Sequence, residues 1–521
     1  MALRVILEPV ARPGLKAEAV REVARAHPAV AAHLEQTEEL IVHDAVALGH
    51  EPGPGAPFVA HVFDPRGNRA VELRGTLDGS LERPQEEVQV RPSGLRPRPE
   101  PHELAAAADI LRADPGFPAG PEVVVYQPMP PLADLERPDG SRVRRPTLGI
   151  YDPAGGPRHR IVAVDLAAHE VDWHPGGVAD PTDDDCEKHL PVGVGALTDR
   201  GGPDQVRVRV VRDGVELWNL IVVRPRASQP RPDGAGVELL QVRYRGRLVL
   251  RQAHMPVLNV LYADGQTNFR DWANEETVFR ATGTDPVGWG WRLCTAPPQT
   301  ILERPDDDRG NFQGVALHHD GQELRIVSEL QAGWYRYMSD WRLGDDGTIR
   351  PRFGFAGTKD PMTCNRHRHH AYWRLDFDID GAAADTVEQL QDGGGIVTET
   401  VPITRETSRR RRGNVKGWQV LDKHTRRGYQ IWPGEHDDSA DAHGVADAWF
   451  LRHHPGELHD GGRMGRPADS RAHLNKFLND ENIYGANIVV WYAGHFLHDQ
   501  AAPEPHQGHI VGPDLIPVEE G

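Results

Sequence analysis

The sequence predicts a mainly-β protein: a large antiparallel β-sandwich preceded by two small α+β domains. Three observations carry this. From residue 205 onward, short runs of alternating apolar and polar residues follow one another, the period-2 signature of half-buried strands. The chain holds 54 Gly and 44 Pro, enough turn-formers to punctuate many short strands. The two clear helical patterns both precede the strand-rich region.

Taking the elements in order, residues 15–36 place apolar side chains at helical spacing and read as an amphipathic helix. Strands around 57–64 and 69–75 complete a small α+β domain over 1–90. The Pro/Arg stretch at 91–101 reads as a linker. A second helix in PHELAAAADILRADP, with strands at 122–127, 147–151 and 160–166, forms a second α+β domain over 98–190, closed by the Asp/Gly/Pro-rich segment 176–204. The sandwich occupies 205–521, its strands legible in QVRVRVV, VELWNLIVV, VELLQVRYRG, RLVLRQA, ELRIVSEL, WYRYMSDWRL, YWRLDFDID and NIVVWYAGHFLH. There is no internal repeat. The basic run at 406–414 (ETSRRRRGN) reads as a solvated loop.

Lys and Arg number 59 against 77 Asp and Glu, a net charge of −18. The basic residues are scattered, so no footprint for nucleic acid is present. No apolar core follows a basic N-terminus and no run is long enough to cross a bilayer, so the expectation is a cytoplasmic chain without a membrane span. Cys186, Cys294 and Cys364 are too few for a disulfide framework and too far apart for a zinc knuckle. Reduced thiols are expected.

The strongest local signal is His367-Arg368-His369 at the head of a strand. Alternation puts His367 and His369 on one face with Trp373, Leu375, Phe377 and Ile379, and turns Arg374, Asp376 and Asp378 the other way. Two neutral imidazoles at that spacing can chelate one ion, and nitrogen donors suit copper or zinc. With 27 histidines in 521 residues, about one His-x-His is expected by chance, so the pair alone does not define a site. The C-terminal strand offers His498 or His495 as a third ligand, and periodicity leaves both open. In Gly333-Trp334-Tyr335-Arg336-Tyr337, the side chains of Tyr335, Tyr337, Trp341 and Leu343 share a face. Alone, these are the tyrosines of a β core.

Together, and in order along most of the chain, these segments resemble the copper-containing (topaquinone) amine oxidases. Gln331-Ala332-Gly333-Trp334-Tyr335-Arg336-Tyr337 is similar to the cofactor segment, with Asp346-Gly347-Thr348-Ile349 in matching register. His367, His369, Arg374, Leu375, Asp376, Asp380 and Gly381 match the metal segment. The last ligand, counted from the tryptophan of its strand, falls from Trp491 onto His498 rather than His495. Val242–Arg247 and Gly428–Gly434 are smaller echoes.

The resemblance implies copper on His367, His369 and His498, and topaquinone made from Tyr335 rather than Tyr337. It implies oxidation of a primary amine by dioxygen to an aldehyde, ammonia and hydrogen peroxide, and a homodimer. It also implies roles for Tyr262, in Leu261-Tyr262-Ala263-Asp264, as a hydrogen-bond partner of the quinone, and for Glu276 as the proton-abstracting base. Asp271 and Glu275 are neighbouring carboxylates. This chain departs from the pattern at Trp334 and Arg336, where the family has an asparagine and an acidic residue. It departs again in the segment from Asp499 to Gln507 and in the short interval between Tyr335 and His367. Two other readings follow from these departures: a mononuclear copper oxidase or oxygenase in a specialised biosynthetic pathway with Tyr335 unmodified, or a non-catalytic, metal-stabilised binding protein.

Overall fold

The structure is a computed structural model. It describes residues 3–519 except 12–16, 35–40, 48–54, 56, 66, 81–82, 86, 94–95, 97–98, 100, 129–131, 133, 141, 177–200, 230–234, 263–267, 271–275, 305–309, 334, 358–365, 382–383, 393–396 and 499–508. Cys186, Cys364, Trp334, Asp271 and Glu275 lie outside the described residues. Strand makes up 52% and helix 9%, so the mainly-β expectation holds.

The helix expected over 15–36 is two pieces, α1 (Ala17–Ala26) and α2 (Pro28–Ala31). Pro28 lacks the amide that would continue the first helix. It opens the second instead, where His27 Nδ1 accepts from the Ala29 amide at 3.2 Å. Val20, Ala24 and Val30 pack on Phe58, Val62, Val71 and Leu73. The last four belong to a four-stranded sheet of Ile41–Ala47, Pro57–Asp64, Arg69–Thr76 and Gln89–Ser93. The helix α3 (Pro101–Ala113) turns Leu104, Ala107, Ala108 and Leu111 onto Leu148, Ile150, Val162 and Val164 of a second small sheet.

The chain's first strand, β1 (Leu3–Pro9), does not join the small unit expected over 1–90. It pairs along its whole length with β2 (Gln205–Arg212), at the edge of the large sheet. From β2 the sheet runs through β3 (Val215–Val223), β4 (Glu238–Tyr244) and β5 (Arg247–Tyr262), and later strands complete it. The second large sheet carries the consecutive strands β6 (Glu323–Ala332), β7 (Tyr335–Gly344) and β8 (Ile349–Gly357). The first sheet is completed by β9 (His367–Phe377), β10 (Ala448–Arg452) and β11 (Ile488–His498), in the order β5-β9-β11-β10. One core joins the inner faces, with Trp218, Leu258, Trp373, Leu375 and Val490 from one sheet against Leu330, Tyr337, Trp341 and Phe353 from the other.

Among the described residues no helix is long and apolar enough to cross a membrane. Cys294 is free and buried, and burial pushes its thiol up to about 11.

Trp218 fixes one end of the sandwich. It is fully buried and donates from Nε1 to the Gly344 carbonyl of the opposite sheet at 2.9 Å. Trp218→Ala is expected to cost about 3–5 kcal/mol in urea unfolding; a loss below about 1 kcal/mol would show that this contact does not hold the sheets together.

Candidate metal centre

The centre is built by three neighbouring strands of one sheet. β9 lies between β5 and β11, and cross-strand register aligns His367 with Tyr262 on one side and His498 on the other. Residues opposite each other across antiparallel strands share a face. Tyr262, His367 and His498 therefore form a row on the inner face, with Val260, His369 and Phe496 as the next row. His495 sits opposite His370 and faces the other way.

The His367 ring centroid lies 4.8 Å from that of His369 and 4.7 Å from that of His498. Metal–nitrogen bonds of about 2.0–2.1 Å would place the centroids of two coordinating imidazoles roughly 5 Å apart. The three imidazoles thus have the donor chemistry for one copper or zinc ion, and the two pairs made by His367 have its spacing. Among the described residues, the group whose ligand atoms all lie within 4.8 Å of one another is a different one, Glu406, His454 and Glu481. Its members are already engaged: Glu406 accepts from the amides of Arg452 and Asn479, and Glu481 from His454 Nε2 at 2.6 Å. The nitrogens of the inner triad are more widely spaced than those of that group.

Tyr335 enters from the opposite sheet, fully buried at the start of β7. Its hydroxyl lies 3.4 Å from His367 Nε2 and accepts from the Tyr262 hydroxyl at 3.0 Å. Tyr262 also stacks on His367, with centroids 4.9 Å apart. Phe355 lies 4.7 Å from Tyr335, 4.4 Å from His369 and 5.1 Å from His498, while Phe496 stacks on His369 at 4.6 Å. These two phenylalanines, unremarked in the sequence, give the imidazoles an apolar wall. Tyr337 lies one pleat further along, against Phe353 at 5.3 Å.

Glu276 bridges Leu330, the residue opposite Tyr337 on the neighbouring strand, and is engaged by its own partner. Its carboxylate is bound fork to fork by the buried guanidinium of Arg224, whose Nε donates to Oε1 at 3.0 Å while Nη2 bonds Oε2. Both carboxylate oxygens are committed to that charge-assisted pair. The carboxylate expected here as the base is thus held in an ion pair. The signal that would have revealed it, Arg224, lies on a distant segment and has no sequence marker.

The basic run at 406–414 is also not a purely solvated loop. Arg410 donates to the carbonyls of Val445 at 2.7 Å and Asp441 at 3.0 Å, and Arg411 to those of Asp437 at 2.8 Å and Asp438 at 2.6 Å. Two of its arginines thus pin the loop that covers the outer face of β9 and β11.

Neither a protein-family profile nor a curated protein matches the sequence. Solved structures do. The chain is similar to a copper-containing benzylamine oxidase from Hansenula polymorpha, with a TM-score of 0.61 at 14% identity over 98% of this chain and 97% of that one. It is also similar to a lysyl oxidase from Pichia pastoris, with a TM-score of 0.54 at 13% identity over 98% and 89%. The chain has the fold of the copper-containing amine oxidases.

Separating Arg224 from its partner tests the role of Glu276. Breaking one side of a buried pair costs about 3–5 kcal/mol, whereas replacing both by apolar residues is often neutral. Glu276→Gln should therefore lower stability, and Arg224→Met with Glu276→Met should restore most of it. Unchanged stability in Glu276→Gln, with turnover abolished, would return Glu276 to the role of base.

Proposed function

We propose that this protein is a copper-dependent oxidase of primary amines. It would convert amine, dioxygen and water to aldehyde, ammonia and hydrogen peroxide. The observation that carries the reading is the position of Tyr335, whose hydroxyl lies 3.4 Å from a nitrogen of the three-histidine cluster and inside the sandwich. The names of the two structural neighbours, a benzylamine oxidase and a lysyl oxidase, support an amine as the substrate class. Resemblance to the same fold family supports a homodimer.

Copper on His367, His369 and His498 would supply one-electron chemistry with dioxygen, and a quinone derived from Tyr335 an electrophile for the amine. The chain's own residues do the positioning. Tyr262 holds the Tyr335 oxygen by a hydrogen bond and holds the His367 ring by stacking. Phe355 and Phe496 keep water from the imidazoles, which strengthens each polar interaction there. A second reading, a copper oxidase with Tyr335 unmodified, is favoured by one observation: the carboxylate expected to serve as base is held by Arg224.

Aerobic incubation of the full chain with copper, followed by mass analysis of the peptide containing Tyr335, separates the two. The amine oxidase reading expects that peptide to gain oxygen and the protein to react with phenylhydrazine. It expects the gain in His495→Ala as well and its loss in His498→Ala. Bound copper with an unaltered Tyr335 peptide would establish the second reading instead.

A further inference from the structure

A cavity of about 400 Å³ opens between the first small sheet and the segments 137–146 and 165–167 of the second unit. Five arginines, Arg69, Arg96, Arg137, Arg142 and Arg144, line it against two aspartates, Asp139 and Asp165, a surplus of three positive charges (5 − 2). One side chain clamps the two walls together. Asn68 sits at the turn between the strands Pro57–Asp64 and Arg69–Thr76 with a φ of 50°, in the left-handed region that asparagine tolerates better than most residues. Its Nδ2 donates to the Arg142 carbonyl at 2.7 Å, and its Oδ1 accepts from the Arg144 amide at 3.1 Å. The spacing of the walls is thus set by the fold itself.

The charged groups of the lining are not equally engaged. Arg144 lies 4.0 Å from the Phe63 ring centroid and bonds the buried carboxylate of Glu103. Asp165 Oδ1 accepts from the amides of Ala167 and Ala168, each at 2.9 Å. Arg142 Nη2 lies 3.9 Å from Asp469 Oδ1, too far for a hydrogen bond. Arg96 Nε is buried and, among the described residues, has no hydrogen-bond partner. Burial lowers the Arg96 guanidinium below its usual value; Asp134 opposes this, and the charges of Arg463 and Arg142 add to it. Asp134 is a weak counter-charge, because burial pushes its own carboxyl above the usual range despite the arginines around it. Like charges held together in a half-buried site are costly unless an anion joins them.

We propose that this cavity binds a small phosphate-bearing molecule, with the phosphate held by Arg96 and Arg142 and attracted at the mouth by the exposed Arg137. A guanidinium presents paired N–H donors in a plane that matches two phosphate oxygens, which makes arginine the residue for such a site. A phosphate monoester brings about 1.5 to 2 negative charges near neutrality, closer to the surplus on the lining than the single charge of a carboxylate. Ligand cavities run from roughly 300 to 1,000 Å³, so this one takes a phosphate with a small organic group attached. An alkylammonium ion would be repelled by the same surplus, so the ligand is distinct from an amine substrate. The lining ends at Ala167, and the histidine triad stands on β9 and β11, so the two sites use different parts of the chain.

Isothermal titration of the full-length chain with inorganic phosphate reads the site, and acetate is the singly charged control. One equivalent of phosphate should bind, with an affinity that falls as salt is raised, and acetate should bind far more weakly. Arg96→Gln and Arg142→Gln should each weaken phosphate by about tenfold or more, the loss expected for a hydrogen bond to a charged group. Arg137 is exposed, so Arg137→Gln keeps the fold and should also weaken binding, which leaves the site testable if a more buried variant does not fold. No saturable phosphate binding, equal affinity for acetate, or unchanged affinity in the folded arginine variants would overturn the site.

Discussion

The centre depends on the phase of three adjacent strands. β9 pairs with β11 without a register shift from His367 opposite His498 to Phe377 opposite Ile488. Its pairing with β5 is shifted twice, once between Leu250 and Gln252 and once between His254 and Val257. The second shift spans Pro256, which cannot donate to a ladder and is tolerated in a strand at such an irregularity. Each shift moves β5 by one residue relative to its partner, and one residue exchanges the two faces. The irregularity at Pro256 is therefore what turns Tyr262 inward beside His367. Without it the tyrosine that holds Tyr335 would point out of the sandwich.

That phase is held from both sides of β9. On the inner face Trp373, Leu375 and Phe377 are in the core. On the outer face Arg374 is fully buried and spends its donors on the Glu457 carbonyl and Gln252 Oε1, each at 3.0 Å. A slip would push this guanidinium into the apolar core, where an unpaired charge is far more costly than any lost apolar contact. Arg410 and Arg411 extend the restraint by tying down the loop that seals the outer face. A strand buried on both faces is the setting in which polar residues can be placed at fixed depth, and β9 uses it twice, for His367 and His369 within and for His370 without.

This explains what could be read from sequence. Period-2 alternation was enough to put His367 and His369 on one face, because it is local and β9 has no internal bulge. The same alternation says that His495 and His498 point to opposite faces. It cannot say which is inner, since that depends on how β11 is aligned with β9. Spacing carried over from the resembling family located Tyr262 and Tyr335 side by side, and gave no sign that Glu276 is paired with Arg224. A count along the chain locates a residue, whereas the direction of its carboxylate is set by a partner far away in sequence, here Arg224. Helical spacing ran through Pro28 for a similar reason: periodicity registers the apolar face and is blind to a missing amide.

The geometry around Tyr335 fixes the surroundings of its oxygen. Tyr262 donates to the Tyr335 oxygen, which also lies 3.4 Å from His367 Nε2. The oxygen is thus placed between a phenol donor and an imidazole nitrogen. Negative charge on that oxygen would keep its hydrogen bond from Tyr262, a stabilisation that grows in a dry site. The aromatic wall of Phe355 and Phe496 supplies the dryness. Tyr337, packed on Phe353 one pleat away, is not placed in that row. The distinction between two tyrosines on the same strand face therefore comes from the cross-sheet partner that each one meets.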